Sequence, residues 1–289
     1  MDVRTSAGAK VPHAEYFPPP PSPRGPSVWL SRLANDRREL IQFWPVVQNM
    51  VVQELKVRYQ RSFLGFLWTL LNPLLMLATL GFVFAHLFGT FDNYPLFLFS
   101  GMVPWTFLSV SLGDSAMAII MNEGLIRKIY VPKLIFPMAR VLIAMVTLVF
   151  SLGAMFVLLL TMGARPSWAL LALPLALALF GIFTLGLSLM VATANTFYRD
   201  CGHLISVFLQ AWYFLTPIIY QAERFPERAQ WMLKLNPAFY FIELFHDIFY
   251  AGQWPRLGLV AMATAIAAAT LGVGYAIFKS QEDKMVFRL

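Results

Sequence analysis

Between Leu64 and Phe278 the chain alternates long apolar stretches with short polar connections, and six stretches reach the roughly 20 apolar residues that a membrane-crossing helix needs. They fall at about 64–88, 95–121, 134–162, 168–194, 204–220 and 258–278. The chain is 58% hydrophobic and 13% charged, whereas soluble domains carry about 25% charged residues. It lacks the polar surface to stay in water. Backbone groups in lipid must be satisfied internally, so long apolar runs of this kind read as helices. The reading is an all-α, polytopic membrane protein.

The entry into the first span sets the topology. Gln53–Met76 begins with Lys56, Arg58 and Arg61 among apolar residues and ends in nearly pure hydrocarbon, interrupted by Asn72-Pro73. Pro45 suits the first turn of a helix, so a helix is predicted from near Trp44 to Gln60. Trp44, Val47, Met50, Val51 and Leu55 share one face, and Gln42, Asn49, Gln53, Lys56 and Gln60 share the other. That is the pattern of an amphipathic interfacial helix. The first 38 residues hold no apolar core of the kind a secretory leader needs, and contain a proline run from Pro18. They read as a disordered cytoplasmic tail, leaving 39–289 as the membrane domain.

Between the fifth and sixth stretches lies the longest loop, and Trp231–Ala251 within it could be a seventh span. Asn236-Pro237 breaks it, and Glu243 and Asp247 would each cost about 2.5–3.5 kcal/mol at a bilayer centre. A re-entrant pair of half-helices over 226–253 is more economical, because broken helices are tolerated where protein or water covers them. With six spans both termini share a side. That side holds 17 of the 22 Lys and Arg residues, which makes the termini cytoplasmic. The same bias accounts for the net charge of +7, so no nucleic-acid partner is invoked.

The chain has no Gly-Lys pair and therefore no nucleotide-binding loop of the G-x-x-x-x-G-K-[ST] type. Its four histidines are scattered beside a single cysteine, Cys201, without metal-ligand spacing, and no G-x-S-x-G motif is present. Glu243, His246 and Asp247 form the one acidic–histidine cluster, read as a solvated or gate-forming helix face rather than a catalytic one. Two ionisable residues fall inside spans, Asp114 in the second and Arg140 in the third. A pair between them is predicted, with charge satisfaction its simplest role. Trp68, Trp105, Phe107, Trp212, Tyr213 and Phe214 lie within spans. Their rings suit either ordinary packing or a conduit that stacks on sugars.

Five ordered blocks carry a resemblance: ELKVRYQRSFLGFLWTLLNPLLM at 54–76, LFLFSGMVPWTFLSVSL at 96–112, NEGLIRKIYVPKLIFPMARVL at 122–142, YRDCGHLISVFLQAWYFLTPIIY at 198–220 and LNPAFYFIELFHDIFYAGQWP at 235–255. Together they make the chain resemble the permease subunits of ABC exporters for polysaccharides and polyol phosphates, such as O-antigen, capsule and teichoic acid. The likeness covers about 39–289. It implies six spans per subunit and a second copy of the chain. It also implies two separate ABC ATPase subunits that hold ATP and Mg, this chain carrying no cofactor of its own. The cargo would be a lipid-linked polysaccharide crossing the bacterial inner membrane among its lipids. It further implies a substrate path along Trp68, Asn72, Trp105, Phe107, Trp212, Tyr213 and Phe214. An ATPase-coupling segment would use Glu123, Leu125, Ile126, Arg127, Lys128 and Tyr130, and an outer gate Phe239, Tyr240, Glu243 and Asp247. An aliphatic residue is more usual than Cys201 in its block, and the proline-rich extension is also a departure. An exporter of drugs or small lipids is the nearest alternative. A membrane glycosyltransferase or acyltransferase would need a clustered acidic or histidine site.

Overall fold

The computed structural model describes residues 26–60, 71, 75, 79, 93–161, 167–222 and 230–289. The span predicted at 64–88 lies almost wholly outside this set, as do Trp68 and Asn72. Every regular element among the described residues is helical. The chain forms two units that divide between Ile41 and Gln42, and the second, Gln42–Leu289, holds the long apolar helices.

Nine α-helices occur among the described residues: α1 Pro26–Tyr59, α2 Tyr94–Met117, α3 Glu123–Ile126, α4 Ile135–Thr161, α5 Leu173–Phe197, α6 Cys201–Leu215, α7 Gln230–Leu235, α8 Pro237–Phe245 and α9 Leu257–Met285. A 3-10 turn, Trp168–Ala172, leads into α5, and α8 continues as a π-helical turn, His246–Tyr250. Four helical segments are long and apolar enough to cross a membrane: Tyr94–Met117, Ile135–Gly153, Trp168–Phe197 and Leu257–Met285. Helix α6 is apolar but shorter.

Several boundaries differ from those predicted, for local reasons. The helix predicted from near Trp44 starts at Pro26, so residues 26–38 are helical where a disordered tail is predicted. Pro26 takes the first-turn position that needs no N–H, residues 27–44 contain no glycine or proline, and Pro45 sits inside the helix. Helix α2 stops at Met117, where Asn122 Nδ2 donates to the Ala118 carbonyl and a 3-10 turn follows. Helix α6 begins at Cys201 and ends at Leu215 because Thr216 precedes a proline and is extended. Helix α9 continues through the charged tail to Met285, helped by a 2.6 Å Lys279–Glu282 pair.

Helix α2 lies at the centre. It packs against α4, α5, α6 and α8, and most of its residues are buried. An aromatic stack joins three helices: Phe183 of α5 lies 4.4 Å from Phe241 of α8, and Phe180 of α5 lies 5.3 Å from Phe107 of α2. Offset and tilted rings of this kind contribute roughly 0.5–1.5 kcal/mol each beyond area burial. At the rim α5 and α9 meet backbone to backbone. A Cβ on Gly274 would stand 2.1 Å from the Gly186 carbonyl oxygen, so glycine is required there. The buried residues of α9 are Ala263, Ala267, Gly274, Phe278 and Met285, a single seam of four- and seven-residue steps.

Candidate functional site

The segment between α2 and α4 carries the residues assigned to ATPase coupling. Its ends are buried and its middle is exposed. Val131, Leu134 and Ile135 are buried, whereas Met121, Leu125, Ile129 and Tyr130 are exposed. Glu123 and Arg127 pair at 2.7 Å one helical turn apart, and Lys128 is exposed. Tyr198, in the connection between α5 and α6, is exposed as well. Exposed apolar side chains interleaved with basic ones, on a segment with rigid ends, suit a protein partner's surface.

The root of this segment is tied to its neighbours by Asn195, which sequence reasoning does not single out. Its Nδ2 donates to the Ala116 carbonyl at 2.7 Å, and its Oδ1 accepts from the Gly202 N–H at 2.7 Å. The first bond satisfies a carbonyl near the end of α2 and the second an N–H in the first turn of α6. Both are groups that a helix leaves unpaired. Asn195 itself is fully buried. Its signal in the sequence is faint: an asparagine at the foot of an apolar stretch reads as a boundary.

Near the same end lie the intramembrane charges. Arg140 Nη1 pairs with Glu54 Oε2 of α1 at 3.2 Å, and Glu54 Oε1 lies 3.5 Å from Arg58 Nη2. Asp114 is half-buried and within electrostatic range of Arg140, Arg58 and Glu54. The ion pair of Arg140 is therefore made with Glu54 rather than with Asp114, which joins as a further member of a four-charge cluster. The reason is reach: α1 brings a carboxylate to the guanidinium, and pairing over so long a sequence separation leaves no local pattern to read.

Of the aromatic residues assigned to the substrate path, Trp105 and Trp212 are buried against each other, edge to face at 5.6 Å. Tyr213 lies 5.7 Å from Trp105, and its hydroxyl is buried without a hydrogen-bond partner among the described residues. Phe107 belongs to the aromatic stack that joins α2, α5 and α8. Phe214 is two-thirds exposed.

At the opposite end of the bundle Asn236 caps α8. Its Oδ1 accepts from Trp212 Nε1 at 2.7 Å and from the Ala238 N–H at 3.0 Å. Its Nδ2 donates to Thr216 Oγ1 at 2.9 Å and to the Leu215 carbonyl at 3.3 Å. The amide is fully used, which is the condition for burying it. Pro237 occupies the first turn, so the Asn-Pro break is a helix start. Beyond it, Phe239, Tyr240, Glu243 and Asp247 line a cleft of about 490 Å³ together with Lys234 and Arg256. Tyr240 donates to the Lys234 carbonyl at 2.9 Å, and Asp247 Oδ1 accepts from Gln253 Nε2 at 3.1 Å. His246 is buried edge-on to Phe97 at 4.2 Å, in space that Gly101 leaves open.

Residues 45–250 match the family model described as ABC-2 type transporter. An O-antigen export system permease protein, RfbA, of Myxococcus xanthus is 32% identical over 250 residues, covering 86% of this chain and 96% of the relative. A protein of the same name from Klebsiella pneumoniae is 31% identical over 202 residues, 69% of this chain and 78% of its own length. The polysialic acid transport protein KpsM of Escherichia coli is 24% identical over 250 residues, 83% and 95% of the two chains.

Proposed function

The chain belongs to the ABC-2 type transporter family, and from that premise we propose that it is the permease subunit of an ATP-driven exporter of lipid-linked polysaccharide. The similarity to an O-antigen export permease along nearly its whole length carries the reading. Two copies of the chain would form the path, and two separate ABC ATPase subunits, holding ATP and Mg, would supply the energy. The chain would cross the bacterial inner membrane six times, the first crossing at 64–88, with both termini in the cytoplasm. Helices α7 and α8 would re-enter from the outer side without spanning it, as their 6 and 9 residues favour.

Each region then has a role. The exposed segment Met121–Tyr130 would sit on the ATPase, where its apolar and basic side chains lose solvent together. The amphipathic part of α1 would lie at the cytosolic interface, held to α4 by the Glu54–Arg140 pair. A long hydrated glycan needs a path without strong point attractions, and aromatic faces supply weak, repeated stacking that traps no single sugar. Trp68, Asn72, Trp105, Phe107, Trp212, Tyr213 and Phe214 would be the side chains for it; in the single chain Phe214 is exposed, while Trp105, Phe107 and Trp212 are buried. Phe239, Tyr240, Glu243 and Asp247 would line the outer exit.

The test is reconstitution with the partner ATPase in membrane vesicles. Lipid-linked glycan should reach the outer face only with a hydrolysis-competent ATPase. Undiminished export with a hydrolysis-dead ATPase would refute the reading.

A further inference from the structure

Helix α6 is held differently from its neighbours. Of its 15 residues only Leu209 and Trp212 are buried, while Leu204, Val207, Phe208, Phe214 and Leu215 are exposed. Its packing is a narrow stripe of Ile205, Leu209, Trp212 and Tyr213, so the polar bonds at its ends add to what fixes its position. Each end is bound by one buried asparagine from another segment. Asn195, in the last turns of α5, holds the first turn through the Gly202 N–H while its other side grips the Ala116 carbonyl of α2. Asn236, at the start of α8, holds the last turn through Trp212, Leu215 and Thr216. The two joints are separated by the helix itself, roughly 22 Å for 15 residues.

We propose that α6 is a strut. Asn195 and Asn236 are positioning residues that carry displacement of the Met121–Tyr130 segment to the half-helix α8 at the other end. The proposal rests on the assignment of that segment to the ATPase. The geometry favours it because Asn195 binds the end of α2 immediately before the segment begins, so a shift there pulls on α6 through two short bonds. Leaving a buried group unpaired costs more than its hydrogen bond contributes, so these joints resist separation. At the far end Asn236 is both the cap of α8 and the anchor of α6. The outer half-helix therefore cannot keep its cap while α6 moves away.

Hydrogen exchange followed by mass spectrometry on the complex with its ATPase tests this, comparing the nucleotide-free state with ATP, Mg and vanadate. Wild-type complex should show a nucleotide-dependent change at 118–133 and another at 237–250. In Asn195→Ala the first should persist and the second fall about fivefold or more, the size of an ordinary coupling between sites. Asn236→Ala should behave alike. A purely structural role would lower the yield of complex and leave the two responses in proportion. Should Asn195→Ala fail to assemble, Gly202→Ala decides. Its added Cβ would press on Asn195 Oδ1 from 3.2 Å without removing a hydrogen-bonding group, and it should weaken the 237–250 response alone. A full response at 237–250 in these variants overturns the strut. A wild-type response at 118–133 with none at 237–250 also overturns it. No response at 118–133 instead breaks the ATPase assignment, and the strut falls with it.

Discussion

Helices α2 and α9 are both long and apolar enough to cross a membrane, yet their surroundings are opposite. Helix α2 is enclosed on nearly every side and buries Ser100, Ser111 and Ser115 as well as Trp105 and Phe107. Helix α9 buries one narrow seam and turns Leu257, Met262, Val273 and Ile277 outward. In water the more apolar helix goes inside. In lipid the surroundings are as apolar as any core, so packing and polar groups decide what is enclosed. The hydroxyls, the charge and the large aromatic rings mark α2 as the interior helix, and the alanine-rich face of α9 marks a rim.

That contrast can be broken most severely at Trp105. Trp105→Ala should destabilise the chain by about 3–5 kcal/mol, the usual cost of emptying a large aromatic site, read as loss of monodisperse protein on heating in detergent. Gly274→Ala comes next, at about 1–3 kcal/mol for overpacking, and should be felt where α9 meets α5, by forcing it away from Gly186. Glu54→Arg or Arg140→Glu should cost about 1 kcal/mol, since Glu54 is 36% exposed and water screens the pair. The double swap should recover only part of the loss in thermal stability, because it leaves Arg58 and Asp114 facing like charges. Val273→Leu, on the outward face of α9, should change stability by less than about 0.5 kcal/mol. A loss at Val273 as large as that at Trp105 would mean that this face packs on protein, such as a second copy, rather than lipid.

Much of this is legible in the chain. The apolar stretches place α2, α4 and α5 within a few residues, because length and hydropathy mark a candidate span, whereas α6 is shorter than a span and α9 runs on through the charged tail. Asn236-Pro237 reads correctly as a break in the long loop. Pairing at a distance is not legible. Nothing near Glu54 says that its partner is Arg140, and nothing near Gly186 names Gly274. The start of α1 is hidden because Pro45 is as compatible with an interior position as with a first turn when the flanking residues favour helix. The joints at Asn195 and Asn236 look like ordinary boundary residues until the ends of three helices are brought together.

The length of α9 has a practical side. Its 29 residues extend about 43 Å, against a hydrocarbon layer of about 30 Å, and the last turns carry Glu282, Asp283 and Lys284. A reporter fused after Leu289 would therefore ride on a stiff stalk instead of a loose tether. Its orientation would follow that of the helix, so polarised fluorescence of such a fusion in aligned bilayers would report a change in the tilt of α9 during a turnover cycle.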